Sequence, residues 1–185
     1  LIAERLLKEQ IGLKVFPLHR IDRPTSGVLV FGLSSEAASL VQPLFPTDDV
    51  KKYYLTVVRG YMTENHGIIE HPLKKKLIGD LQEAKSEYWT LSQNEIPIAS
   101  TSRYPTSRYS LLKVYPHTGR MHQIRRHFAT VGHPVMGDPQ YGQGNKDSTG
   151  LALQAVKLSF SCPLRHKNQS FTVPPQLRLY GTNRE

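Results

Sequence analysis

The strongest constraint on this chain is an absence. From Ile96 to Gly137, forty-two residues pass without an aspartate or a glutamate, where the chain's mean acid density would place about three. The same block carries Arg103, Arg108, Lys113, Arg120, Arg125 and Arg126, interleaved with His117, His122, His127 and His133. Its apolar residues are also ordered. Tyr109–Tyr115 (YSLLKVY) predicts a strand stopped by Pro116, and His117–Thr118–Gly119 predicts a turn. A helix should follow, with Met121, Ile124, Phe128 and Val131 on one face, Gly132 ending it and Pro134 beyond. The block therefore has to fold as a strand, turn and helix whose polar side is uniformly basic. Such a surface fits a polyanion, most simply nucleic acid; a solvated basic face without a partner is the alternative. The prolines, and the lack of a long amphipathic helix, argue against an anionic membrane.

The rest of the chain is ordinary globular material. At 185 residues, 38% hydrophobic and 21% charged with a net charge of +9, it can bury a sizeable core, and residues 1–185 are read as one domain. The single cysteine, Cys162, excludes an internal disulfide framework and a multi-thiolate metal site. It fits a reducing compartment, so a cytoplasmic location is expected. No apolar run approaches the roughly 20 residues of a membrane span.

Residues 1–11 have helical spacing, with Gly12 as the stop, and His19–Gly27 (HRIDRPTSG) reads as a loop. Val28–Phe31 predicts a buried strand, and Ser34 or Ser35 can cap a helix that Pro43 should end. Tyr53–Arg59 (YYLTVVR), apolar on both faces, predicts a central strand. Val156, Leu158 and Phe160 alternate with polar residues in a half-buried strand, while residues 61–100 give no readable pattern. Without a regular βαβ repeat the fold class is α+β, with a mixed, largely antiparallel central sheet and flanking helices.

Within the predicted helix, Arg125 lies four residues after Met121 and three before Phe128, so it borders the apolar face. A guanidinium held there needs a carboxylate or phosphate, or else only its alkyl stem covers the core. Arg126 points more nearly outward, free to reach phosphate. Asp22, between Arg20 and Arg23 and just ahead of a strand, is either a turn residue at the surface or a candidate nucleophile or base. The four histidines from His117 to His133 have spacings unsuited to metal and read as core or nucleic-acid-facing residues, so no metal site is expected. Tyr141–Gly142–Gln143–Gly144 reads as a turn, and no phosphate loop, dinucleotide loop or nucleophile elbow is present.

Two blocks carry a family resemblance. HRIDRPTSGVLVFG (His19–Gly32) and PHTGRMHQIRRHFATVGHPVMGDPQYG (Pro116–Gly142) resemble the RluA-type pseudouridine synthases, with their H-R-x-D-x-x-T-S-G loop and T-G-R-x-H-Q-[IL]-R-x-H block. KKYYLTVVRG (Lys51–Gly60) is similar to the family's K-x-Y strand, and RYPTSRYSL with GLSSEAA resembles the tRNA-modifying TruC branch. The resemblance implies isomerisation of uridine to pseudouridine in RNA, most simply tRNA, with no cofactor. Ribosomal RNA as substrate, a silent RNA-binding module, and a hydrolase or nuclease are the alternatives.

By position the resemblance makes Asp22 the catalytic aspartate, Arg125 its partner and Tyr54 the residue packed on the target base. Arg20 is matched to the RNA stack and Ile124 to the pocket wall. His19, Thr25, Lys52, Arg120, His122 and Arg126 are expected to bind substrate RNA. The family's N-K-P-x-G segment has no equivalent before His19, so the chain is expected to lack that N-terminal strand. A monomer is expected.

Overall fold

The computed structural model describes residues 2–75, 78–142 and 150–177. In chain order the elements are α1 (Ile2–Ile11), β1 (Phe16–Pro17), β2 (Ser26–Gly27), β3 (Phe31–Gly32) and α2 (Ser35–Val41). A 3₁₀ turn at Gln42–Leu44 is followed by β4 (Lys51–Arg59), β5 (His66–Glu70), β6 (Leu73–Lys74), β7 (Leu81–Gln82), β8 (Lys85–Ile96) and β9 (Ser107–Pro116). The chain then forms α3 (Gln123–Thr130), β10 (Leu153–Cys162) and β11 (Lys167–Thr172).

The main sheet has the order β11-β10-β4-β9-β8-β5, antiparallel throughout, and β2 pairs in parallel with the start of β10 at Gln154 and Ala155. That is the expected α+β fold with a mixed, largely antiparallel sheet. α3 lies on one face over Val58, Leu112 and Val114, and its Ile124 and Phe128 complete that core. A second core beneath α2 gathers Leu18, Val28, Val41, Phe45, Leu158 and Phe160.

Several local expectations hold. α1 stops at Gly12, whose N–H bonds the Lys8 carbonyl at φ +69°. Ser34 caps α2 by accepting from the Ala37 N–H, and β4 is central. Others need correction. Val28–Phe31 is not one strand. The Val28 N–H donates to Ala155 of β10, whereas the Val30 carbonyl accepts from Leu18. Splitting these bonds between two neighbours denies the segment a continuous ladder.

Met121 precedes α3 and Val131, past its end, is exposed, so the buried face of α3 is shorter than its sequence suggests; it is also wider, because Gln123, Arg125 and His127 are buried beside Ile124 and Phe128. The unreadable stretch 61–100 contains β5 and the twelve-residue β8, which pairs with β9 through a bulge between Thr90 and Ser92. The turn read at Tyr141–Gly144 is seen through Gly142; Gln143 and Gly144 lie outside the described residues.

Candidate active site

Two clamps bring distant segments together over the starts of β4 and α3. The first holds the Asp22 loop. Thr25 donates its N–H to the Asp22 carbonyl, closing a tight turn around Arg23–Pro24. Gly27 then lies against Ala155 of β10, which on its other side pairs with Tyr54 of β4. A side chain at Gly27 would place its Cβ 2.1 Å from the Ala155 carbonyl oxygen, and its φ is +111°, so only glycine allows this approach. His19 staples the loop from behind, its ring stacked on Phe45 at 4.7 Å and its Nε2 accepting the Val30 N–H.

The second clamp holds Asp138. After α3 the chain returns along the far end of β4: Arg59 donates to the Pro134 carbonyl, and Met136 donates to that of Val57. Asp138 is thereby set beside Arg125. Arg125 Nε and Nη2 donate to the two carboxylate oxygens of Asp138 at 2.8 and 2.9 Å, and Nη1 reaches Asp22 Oδ2 at 3.3 Å. The backbone N–H groups of Gln140 and Tyr141 also donate to Asp138.

Burial works against the charge on Arg125, but its bonds to Asp138, joined by Asp22, outweigh it and hold the guanidinium protonated above its ordinary range. Burial likewise works against the Asp138 carboxylate, and Arg125 with the two N–H donors holds it below the usual range. The Asp22 side chain, 27% exposed against 3% for Arg125, is the end of this chain that faces outward.

It faces a cleft of about 510 Å³. Asp22, Arg125, Tyr54, Arg20, His19, Thr25, Lys52, Ile124, Arg120 and His122 all line it. Tyr54 packs on the core with Ile124 and Leu153. Burial, reinforced by Asp22, pushes its hydroxyl up to about 12, so the ring enters the cleft as a neutral surface. Tyr53 projects from the opposite face of β4, against Tyr115. His122, at φ +52°, sets Nε2 3.8 Å from Asp22 Oδ1, and its Nδ1 lies 3.0 Å from the Tyr141 hydroxyl. Burial lowers its proton affinity more than Asp22 raises it.

Arg126 is not brought to the cleft: its Nη1 donates to the carbonyls of Lys74 and Met121, bracing the β6 segment. Arg120 lines the cleft while its Nε holds the Glu83 carbonyl, and Lys52 Nζ holds that of Phe45. Arg20 is exposed at the rim.

The four histidines do four separate jobs. His117 bonds Glu87, His133 bonds the Arg59 carbonyl, His127 is buried against Ser86 and the His71 carbonyl, and His122 faces Asp22. No cluster of metal-binding side chains occurs among the described residues. Sequence reasoning missed Asp138 and Tyr141. A bidentate partner for Arg125 was the available signal, since Asp22 alone leaves donors of a buried guanidinium unspent.

Residues 3–130 match the family described as RNA pseudouridylate synthase. The chain belongs to that family. It is 45% identical over 179 residues to tRNA pseudouridine synthase C of Vibrio parahaemolyticus, covering 87% of this chain and 72% of that protein. Identity to the Vibrio cholerae protein of the same name is 47% over 175 residues, covering 85% and 71%. The fold is shared with human RNA pseudouridylate synthase domain containing 1 at a TM-score of 0.80 and 22% identity, covering 93% of this chain and 73% of that one. This RNA pseudouridine synthase is thus an isomerase acting on RNA. No helix among its described residues is long and apolar enough to cross a membrane.

Proposed function

We propose that the cleft receives a uridine of tRNA turned out of its helix, and that Asp22 is the catalytic nucleophile. One observation carries this reading: an outward-facing carboxylate, held at 3.3 Å by a buried arginine that Asp138 grips through Nε and Nη2, beside a neutral tyrosine ring. The net reaction breaks C1′–N1 and forms C1′–C5. The proton that C5 gives up balances the one N1 gains, so atoms balance without redox change.

Arg125 orients Asp22, Tyr54 and Ile124 flank the uracil, and Arg20 occupies the gap left in the RNA stack. Extruding a nucleotide costs a few kcal/mol, which contacts to neighbouring phosphates offset. The names of the relatives support tRNA as the RNA class.

Tritium release from uracil-5-labelled transcripts tests this, comparing tRNA with ribosomal RNA and wild type with Asp22→Asn. Release from tRNA by wild type alone is expected, with RNA affinity of the variant within about tenfold because phosphate contacts dominate binding. Normal release by Asp22→Asn would sink the assignment, and release from ribosomal RNA alone would correct the substrate.

A further inference from the structure

The face of the sheet opposite α3 bears side chains that the cleft does not use. Alternation along the strands puts Lys51 and Tyr53 of β4, Lys113 and Tyr115 of β9, and Trp89 of β8 on this one face. Lys113 Nζ sits 4.6 Å from the Tyr53 ring centre and 5.2 Å from that of Trp89; Lys51 Nζ lies 5.8 Å from that of Tyr115. Lys157 of β10 pairs across from Tyr53.

All three lysines are exposed, and none has a carboxylate partner in the ion pairs found among the described residues. The nearby acid, Glu87, is already held by His66 and His117, each at 2.7 Å. Cation–π contacts order Lys51 and Lys113 before any ligand arrives, which lowers the entropy lost on binding. The face is also continuous with the catalytic cleft. Tyr115 lines the cleft, and its ring stands 5.2 Å from Tyr53.

A flat set of ordered ammonium groups suits phosphates strung along a backbone better than one enclosed phosphate. Trp89 is already engaged by Lys113 and by the stacked His66 ring at 5.2 Å, which disfavours base stacking there. We propose that Lys51, Lys113 and Lys157 form a second docking surface for the sugar–phosphate backbone of the substrate RNA, outside the segment that carries the target uridine. The proposal rests on reading the Asp22 cleft as the catalytic site.

The test uses the full chain with Lys51→Gln, Lys113→Gln and Lys157→Gln combined. Its substrates are a full-length tRNA transcript and the shortest stem-loop of that transcript that still turns over. On the full transcript KM should rise about tenfold with kcat within twofold, and the slope of log Kd against log salt should fall by about 2 to 3. On the stem-loop neither quantity should move, and the triple Lys→Arg variant should bind like wild type. Unchanged KM and salt slope on the full transcript would overturn the proposal. So would an equal KM rise on the stem-loop, since the lysines would then serve the cleft.

If the triple variant fails to fold, Lys51→Gln and Lys157→Gln alone should each reduce the slope by about 1, and no reduction overturns the proposal. Binding is read without turnover. A failure of the Asp22 assignment therefore appears in the rates of Asp22→Asn and leaves the salt slope to judge this surface.

Discussion

Arg125 and His127 lie two residues apart on the same eight-residue helix and are 2% and 0% exposed, yet they belong to unlike networks. The Arg125 network is charged and open: Asp138 holds the arginine from below, and its remaining reach ends on Asp22 in the cleft. The His127 network is neutral and closed. Its Nε2 bonds the His71 carbonyl and its Nδ1 the Ser86 hydroxyl, which accepts from Gln123. Gln123 in turn binds Thr118 and the Arg120 N–H, fixing the turn ahead of the helix. Burial lowers the proton affinity of His127, which suits a ring acting as one donor and one acceptor. A single run of motif letters, TGRMHQIRRH, thus divides into residues that reach the cleft and residues that hold its wall in place.

The largest effect should separate the two networks outright. Arg125→Leu strands the buried Asp138 carboxylate and frees Asp22, so turnover should fall at least about a thousandfold and stability by about 3–5 kcal/mol. His127→Leu should cost about 2 kcal/mol through the unpaired Ser86 and His71 groups, while kcat of the folded fraction stays within twofold. Urea titration beside single-turnover assays reads both quantities. A folded His127→Leu protein without turnover would erase the distinction.

Asp138→Asn sharpens it further, because the shape is kept while the charge under Arg125 is lost. We expect kcat to fall about tenfold with KM unchanged, and stability to drop by about 2 kcal/mol. A KM effect alone would make Asp138 a binding residue rather than a positioning one.

How much of this was readable beforehand depends on where the determining contacts lie. The α3 block was legible because its turn, helix and stop are local; helix spacing asked only that Arg125 find an anion, and it was the family resemblance that paired it with Asp22. Asp138 was not legible, since its place depends on Pro134–Met136 returning along β4, a contact that no periodicity announces. β8 was hidden for a different reason. Its outer half is exposed and polar, and it is held by ladder bonds to β9 rather than by an apolar stripe. The place of Arg126 away from the cleft was hidden because the carbonyls it binds belong to main chain, which sequence patterns do not reveal.

A neutral histidine also braces the loop that carries Asp22. Burial, helped by Lys52, lowers His19 from 6.5 to about 4, in keeping with Nε2 accepting the Val30 N–H. The folded state resists a proton that the unfolded chain accepts, so the contribution of His19 is complete above pH 6.5. It is lost as pH falls towards 4, a decline of about 2 kcal/mol after allowance for partial exposure. His19→Gln should flatten the stability profile across that window. An unchanged profile would show that acid sensitivity resides elsewhere.

The smallest effect concerns Tyr54, the neutral wall of the open network. Its hydroxyl is pushed up to about 12 by burial and then by Asp22, which favours the neutral form throughout the working range. The ring is presented to the cleft from β4, packed on the core that includes Ile124. Tyr54→Phe should therefore keep turnover within about threefold, whereas Tyr54→Ala should lose the stacking surface, worth about 1–3 kcal/mol per base. The rate profile of the wild type should show no alkaline limb from this residue below pH 10, because the fold holds the proton well beyond the ordinary tyrosine range. Equal losses in the two variants would transfer the role from the ring to the hydroxyl, and would place a neutral donor beside Asp22 in the reacting half of the comparison.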